Sequence, residues 1–134
     1  MLTQADTLFS ELAELLGDRV SRAAAVREHH SRGESYHEPG VPDIVVFPTS
    51  TEEVQAIARA CTAQRCPMVP FGAATSLEGH VNAIHGGVSI DLTRMNRILR
   101  VSVDDLDATV EAGVTREQLD KHLRSTPVHR TVCM

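Results

Sequence analysis

Ile44-Val45-Val46-Phe47, closed by Pro48, narrows the possible folds more than any other stretch of this sequence. A continuous, mostly β-branched run of this length, without polar alternation, is the signature of a strand covered on both faces, the situation typical of parallel sheets. The next residues, Ser50-Thr51-Glu52-Glu53, form a capping box, and Val54, Ile57, Ala58 and Cys61 follow at helical spacing. That helix is expected to end near Gln64 or Arg65, ahead of Pro67. Met68 and Val69 then open a second short strand. The order strand, helix, strand predicts a right-handed crossover between parallel strands. Open sheets of this kind collect ligands beyond the carboxyl ends of their strands.

The loop leaving that edge reads Pro70-Phe71-Gly72-Ala73-Ala74-Thr75-Ser76-Leu77-Glu78-Gly79-His80. Two glycines bracket small residues, so the backbone can curl and approach a ligand closely. Successive amides in such a curve can converge on an anion, with the hydroxyls of Thr75 and Ser76 as further donors. No Lys or Arg lies within it. A phosphate held here would be held by oriented dipoles. The loop matches neither the Walker A pattern nor G-x-G-x-x-G, and a surface turn shaped by its glycines is the competing reading.

Upstream, Leu8, Leu12, Leu15 and Leu16 make one helical face from about Gln4 to Leu16, with Gly17 at the C′ position. Val20 to His30 supports a short second helix through Ala23-Ala24-Ala25-Val26, and Ser31 to Pro42 is a polar loop. Downstream, Gly86-Gly87 introduces a strand from Val88 to Leu92. Strands from Leu99 to Val103 and Ala108 to Ala112 form a hairpin about the solvated turn Asp104-Asp105-Leu106-Asp107. Thr115-Arg116-Glu117-Gln118 is a second capping box, opening a helix through Leu119 and Leu123. The class is α+β, a small parallel sheet with flanking helices followed by a hairpin. Residues 1–30 form an N-terminal helical segment, 31–124 the main unit and 125–134 an irregular tail, as if the chain stopped partway through a fold.

Several functions are disfavoured. A net charge of -5 and one Tyr with no Trp argue against a nucleic-acid surface. Cys61, Cys66 and Cys133 match no disulfide framework or zinc spacing, and Cys61 falls on the apolar side of a helix. Reduced, intracellular use follows. With no apolar span and no basic or Arg-rich leader, the expected location is cytoplasmic. His29, His30 and His37 with Glu34 and Glu38 match no ligand motif and are read as solvated polar surface, so no metal is expected. His80 faces either a ligand or water, and His85 faces water. Glu52 and Glu53 suit the first turn of a helix. No nucleophile-and-base arrangement stands out near Ser76.

Taken in order, Pro42 to Pro48, Ser50 to Val54, Val69 to His80, Gly87 to Leu92 with Met95-Asn96, and Ala112-Gly113-Val114-Thr115 resemble the FAD-binding (PCMH-type) domain of FAD-linked oxidases. The likeness is nearest to cytochrome-type D-lactate dehydrogenases and the glycolate oxidase D subunit, and it runs collinearly from about His30 to Arg124. It implies the first subdomain of a two-part cofactor domain with FAD between the parts. It also implies that the backbone of Gly72, Ala73, Ala74, Thr75, Ser76, Gly79 and His80 wraps the FAD pyrophosphate. Val69, Pro70 and Phe71 would lie beside it, and Gly113 and Val114 would match a turn near the cofactor.

The sequence departs from the family at three points. Ala74 stands where the family commonly has Gly; at positive φ an Ala costs about 1–2 kcal/mol. An acidic residue is missing before Glu34-Ser35-Tyr36-His37. After Arg124 the family continues into a second subdomain and a substrate domain that carry its catalytic groups, so none is assigned here. Amide bonds to a charged acceptor give about 1.5–3 kcal/mol each, against an association cost of about 4–15 kcal/mol. The loop alone is therefore expected to hold FAD weakly. The implied activity is oxidation of a D-2-hydroxy acid such as D-lactate or glycolate, with a complementing C-terminal chain as a possible partner. The alternative is a non-catalytic remnant or subunit that binds no flavin alone.

Overall fold

The computed structural model describes residues 4–125. Helix α1 (Gln4–Leu16) has the expected bounds, and Leu8, Leu12 and Leu16 are at most 3% exposed, whereas Leu15, expected on the same face, is 42% exposed. Burial of each of the three covered leucines contributes about 1.5–3 kcal/mol. Gly17 stops the helix at φ +63, its amide donating to the Ala13 carbonyl at 2.9 Å. Where a single weak helix was expected, the chain makes strand β1 (Val20–Ser21) and then helix α2 (Ala24–His29). Two extended residues are too few to show periodicity.

Strand β2 (Ile44–Val46) is fully buried, and β1 pairs with it antiparallel. Helix α3 (Thr51–Ala63) starts at Ser50, whose Oγ accepts the Glu53 amide at 3.2 Å. The reciprocal half of the capping box is altered. The Glu53 carboxylate accepts the Thr49 amide at 2.7 Å and receives a two-pronged bond from Arg19 at 2.6 and 2.7 Å. These Arg19 bonds, chiefly, hold its pKa down to about 2. Cys61 is wholly buried, as its place on the apolar stripe requires.

Strand β3 (Met68–Phe71) follows α3, and β4 (Val88–Asp91) completes a four-stranded sheet in the order β1-β2-β4-β3. Both β2 and β3 run parallel to β4. The crossover thus leaves a gap that β4 later fills, an arrangement that strand patterns alone do not encode.

Side chains alternate across this sheet. Ile44, Val46, Val88 and Ile90 join the α1 leucines with Ile57, Ala60 and Cys61 in one core. Residues 4–16 therefore belong to the same packed unit as the sheet. On the other face lie Val45, Ser89 and Asp91, no more than 6% exposed, where the end of α2 reaches them.

Strands β5 (Ile98–Ser102) and β6 (Asp107–Val110) form a separate antiparallel hairpin. Its turn is solvated as expected, with Arg100 on Asp107 at 2.7 Å and the Ser102 hydroxyl on Asp105 at 2.7 Å. Helix α4 (Arg116–Ser125) begins with the Gln118 amide donating to Thr115 Oγ at 3.1 Å, while the Gln118 side chain donates to the Asn96 carbonyl. The α+β class, the small parallel sheet and the following hairpin match the sequence expectation. Among the described residues no helix is long and apolar enough to cross a membrane. The expected tail beyond residue 125, with Cys133, lies outside the described residues.

Candidate functional site

The carboxyl ends of β3 and β4 open onto one cavity of about 800 Å³, within the range used for small-molecule ligands. Phe71, Gly72, Ala73 and Ala74 form the wall from β3, and Asp91 and Thr93 the wall from β4. The facing side comes from α2 and the residues after it, with Glu28 and His29, then Arg32, Gly33 and Glu34.

Among the described residues, the loop after β3 leaves its first amides without protein partners: those of Gly72, Ala73, Ala74, Thr75 and Ser76 donate to no other group. Backbone donors are rarely left idle beside a cavity, because each prefers a partner in protein, water or ligand. Gly72 adds an independent sign: a Cβ built there meets nothing within 4 Å, and its φ is not left-handed. Neither packing nor backbone conformation demands glycine at this place. It leaves the backbone here open to close approach.

Ala74 adopts φ +55, the conformation that glycine takes without penalty. Its carbonyl accepts the Glu34 amide at 3.1 Å, which pins the strained turn to the opposite wall.

The remaining expected site residues have other surroundings. Val69 is half-buried in β3 opposite Ser89, and Pro70 is exposed on the outermost strand. Ser76 Oγ accepts the Glu78 amide at 3.4 Å, while Thr75 and His80 are exposed. Gly79 has φ +69, and the His37 ring occupies the space a Cβ would need, 2.5 Å away. Gly113 and Val114 are not cavity walls. The Gly113 amide donates to the Met95 carbonyl, and a Cβ there would lie 2.1 Å from the Leu92 oxygen, so close packing accounts for this glycine.

The expected polar surface at 29–38 needs one correction. His30 is only 3% exposed, with Nε2 2.9 Å from Asp91 Oδ2 and Nδ1 2.8 Å from the Val26 carbonyl oxygen. A partner 61 positions away draws it inside. His29, Glu34, His37 and Glu38 are exposed, and no group of three or more potential metal ligands occurs among the described residues. Burial works against the charged forms of both His30 and Asp91. Their mutual bond prevails, with Val26 assisting His30 and Thr93 assisting Asp91, so His30 is raised and Asp91 lowered from their ordinary values.

Asp91, Thr93 and Arg32 were missed as wall residues in the sequence. A carboxylate closing a buried strand, as Asp91 does, was the available signal. Arg32 makes no hydrogen bond or ion pair among the described residues, which leaves a cation on the wall facing the idle amides. Idle amides, an open Cα at Gly72 and this guanidinium fit a diphosphate-bearing cofactor.

The chain is similar to a probable mitochondrial D-lactate dehydrogenase of Danio rerio, 46% identical over 122 residues covering 90% of this chain and 24% of that protein. It is similar also to the mitochondrial cytochrome-type D-lactate dehydrogenase of Arabidopsis thaliana, 40% identical across 87% of this chain and 21% of that protein. The chain thus spans under a quarter of the length of these curated relatives. Among solved structures, an alkyldihydroxyacetonephosphate synthase superposes with a TM-score of 0.77 at 26% identity, covering 88% of this chain and 26% of that one. Residues 42–128, well over half of the sequence, match the family model described as FAD binding domain, and the chain belongs to that family.

Proposed function

We propose that this chain is the N-terminal part of the cofactor domain of an FAD-linked oxidoreductase acting on a D-2-hydroxy acid such as D-lactate or glycolate. The observation that carries the proposal is the row of idle amides from Gly72 to Ser76, opening with a glycine whose Cα faces empty space. These amides bind the FAD pyrophosphate, and the hydroxyls of Thr75 and Ser76 add donors. Phe71 and its neighbours Val69 and Pro70 set the direction in which the loop leaves the sheet, while Gly79 and His80 close it. Gly113 and Val114 form a turn after β6, where Gly113 packs on Leu92 and Met95, the segment that follows the β4 wall of the site. When bound, the flavin supplies a two-electron acceptor for the hydroxyl-bearing carbon of the substrate. Residues 31–124 are the cofactor-binding part, with the helical segment 1–30 ahead of it and the tail 125–134 after it. The catalytic groups are contributed from outside this chain, by a C-terminal portion or a complementing chain.

A cytoplasmic location is supported by the free thiols of Cys61 and Cys66, which fit a reducing compartment. Cell fractionation that puts the protein in another compartment would overturn it.

The decisive experiment is flavin absorbance of the purified protein, and its change on addition of FAD with and without the C-terminal portion of a relative. Uptake of FAD in preference to ADP is the expected result. A chain that stays colourless alone and complemented overturns the proposal in favour of a remnant that keeps the fold without the cofactor.

A further inference from the structure

His30 has a protein acceptor on each ring nitrogen. A backbone carbonyl such as that of Val26 can only accept, and the Asp91 carboxylate also accepts, so the protonated ring, in which both nitrogens donate, is the form that keeps both bonds. The cation is buried within an aromatic collar. Its ring centroid lies 4.3 Å from that of Phe71 and 5.8 Å from that of Phe47. Phe71 is the last residue of β3 and hands the chain directly to Gly72. The other oxygen of Asp91 accepts the Thr93 amide at 2.9 Å and the Thr93 hydroxyl at 2.5 Å. One buried ion pair therefore touches the root of the amide loop through Phe71 and the neighbouring β4 wall through Thr93.

We infer that His30 is a positioning residue for the cofactor loop. Its charged pair with Asp91 sets the distance between the Gly72–Ala74 wall and the Thr93 wall, so that nucleotide binding follows its protonation. The cofactor part of this inference rests on the function proposed above, whereas the coupling of ring to loop does not. The groups facing the ring are few. Asp91 from β4 is the bonded carboxylate, and the His29 ring stands edge-on at 5.2 Å from the same helix. Arg94 packs its guanidinium 5.0 Å from the Phe47 ring, while Glu28, Arg32 and Glu34 surround the cavity. When the ring loses its proton it can keep only one of its two bonds. The end of α2 then loses its tie to β4, or the ring loses its tie to Val26, and Phe71 loses the cation it packs against.

The test uses the whole chain labelled with nitrogen-15. Across pH 5.5 to 9.5, the His30 ring signals should titrate above the ordinary histidine value, and the Gly72, Ala73 and Thr93 amides should shift with the same midpoint. In H30Q those amides should no longer show that midpoint. Loop amides that ignore the His30 midpoint overturn the coupling, and this readout needs neither flavin nor a folded variant. With FAD added, the wild-type affinity should fall about tenfold or more across the midpoint, a size usual for coupled sites. The profile of H30Q should be flat and weak. A wild-type affinity that stays flat while the amides titrate overturns the cofactor half. No uptake of FAD at any pH refutes the proposed function instead, and the amide titration still decides the coupling.

Discussion

The Glu34 amide donates to the Ala74 carbonyl at 3.1 Å, and this bond ties the residues after α2 to the loop after β3. The two backbones can come this near because Gly33 has no side chain. A Cβ there would stand 2.5 Å from the Ala74 oxygen. Gly33→Ala should push the loops apart and cost about 1–3 kcal/mol, as overpacking does. Urea unfolding monitored by circular dichroism gives the loss, and FAD titration should show weaker binding in the same variant.

Ala74→Gly should act in the opposite sense. Relief of the left-handed strain is worth about 1–2 kcal/mol, while the freer unfolded chain returns about 0.4–1 kcal/mol of it. A net gain of roughly 0.5 kcal/mol in unfolding free energy is expected, together with tighter FAD binding. A measured loss would show that the alanine methyl makes a packing contribution larger than its strain.

Gly72→Val separates folding from binding. A Cβ built at this position meets nothing within 4 Å and the backbone is not left-handed, so stability should stay within about 0.5 kcal/mol of wild type. FAD binding should be abolished, because the branched side chain fills the space through which the phosphates approach. Unaltered flavin uptake by this variant would place the cofactor elsewhere.

Glu53 offers a pH signature. Its folded pKa of about 2 lies below the ordinary 4.5, so its contribution is present above pH 4.5 and is lost as pH falls toward 2. Glu53→Gln removes the charge that Arg19 grips. The stability difference between wild type and variant should be constant above about pH 5 and shrink steadily below it. Parallel urea titrations at several pH values measure that difference directly.

What was legible in the sequence was whatever local chemistry encodes. The four-residue spacing of Leu8, Leu12 and Leu16 gave α1 its bounds, and Ser50 marked the start of α3, because caps and apolar stripes act within one or two turns. The partner of the Glu53 carboxylate was not local, since Arg19 reaches it from 34 residues away. The same holds for His30, whose polar neighbours in sequence suggest solvent while Asp91 draws it inside. Ala74 was legible as a departure because glycine and alanine differ most at positive φ. Gly72 and Gly113 look alike in sequence, yet one faces open space and the other the Leu92 carbonyl. Only the folded arrangement distinguishes a glycine on open space from one kept for packing.

The outermost strands of the sheet are a two-residue segment, Val20–Ser21, and Met68–Phe71, which carries Pro70. A proline has no amide hydrogen to offer an incoming chain, and two residues give too short a ladder to template one. Both borders of this four-stranded sheet therefore disfavour strand addition by a neighbouring molecule.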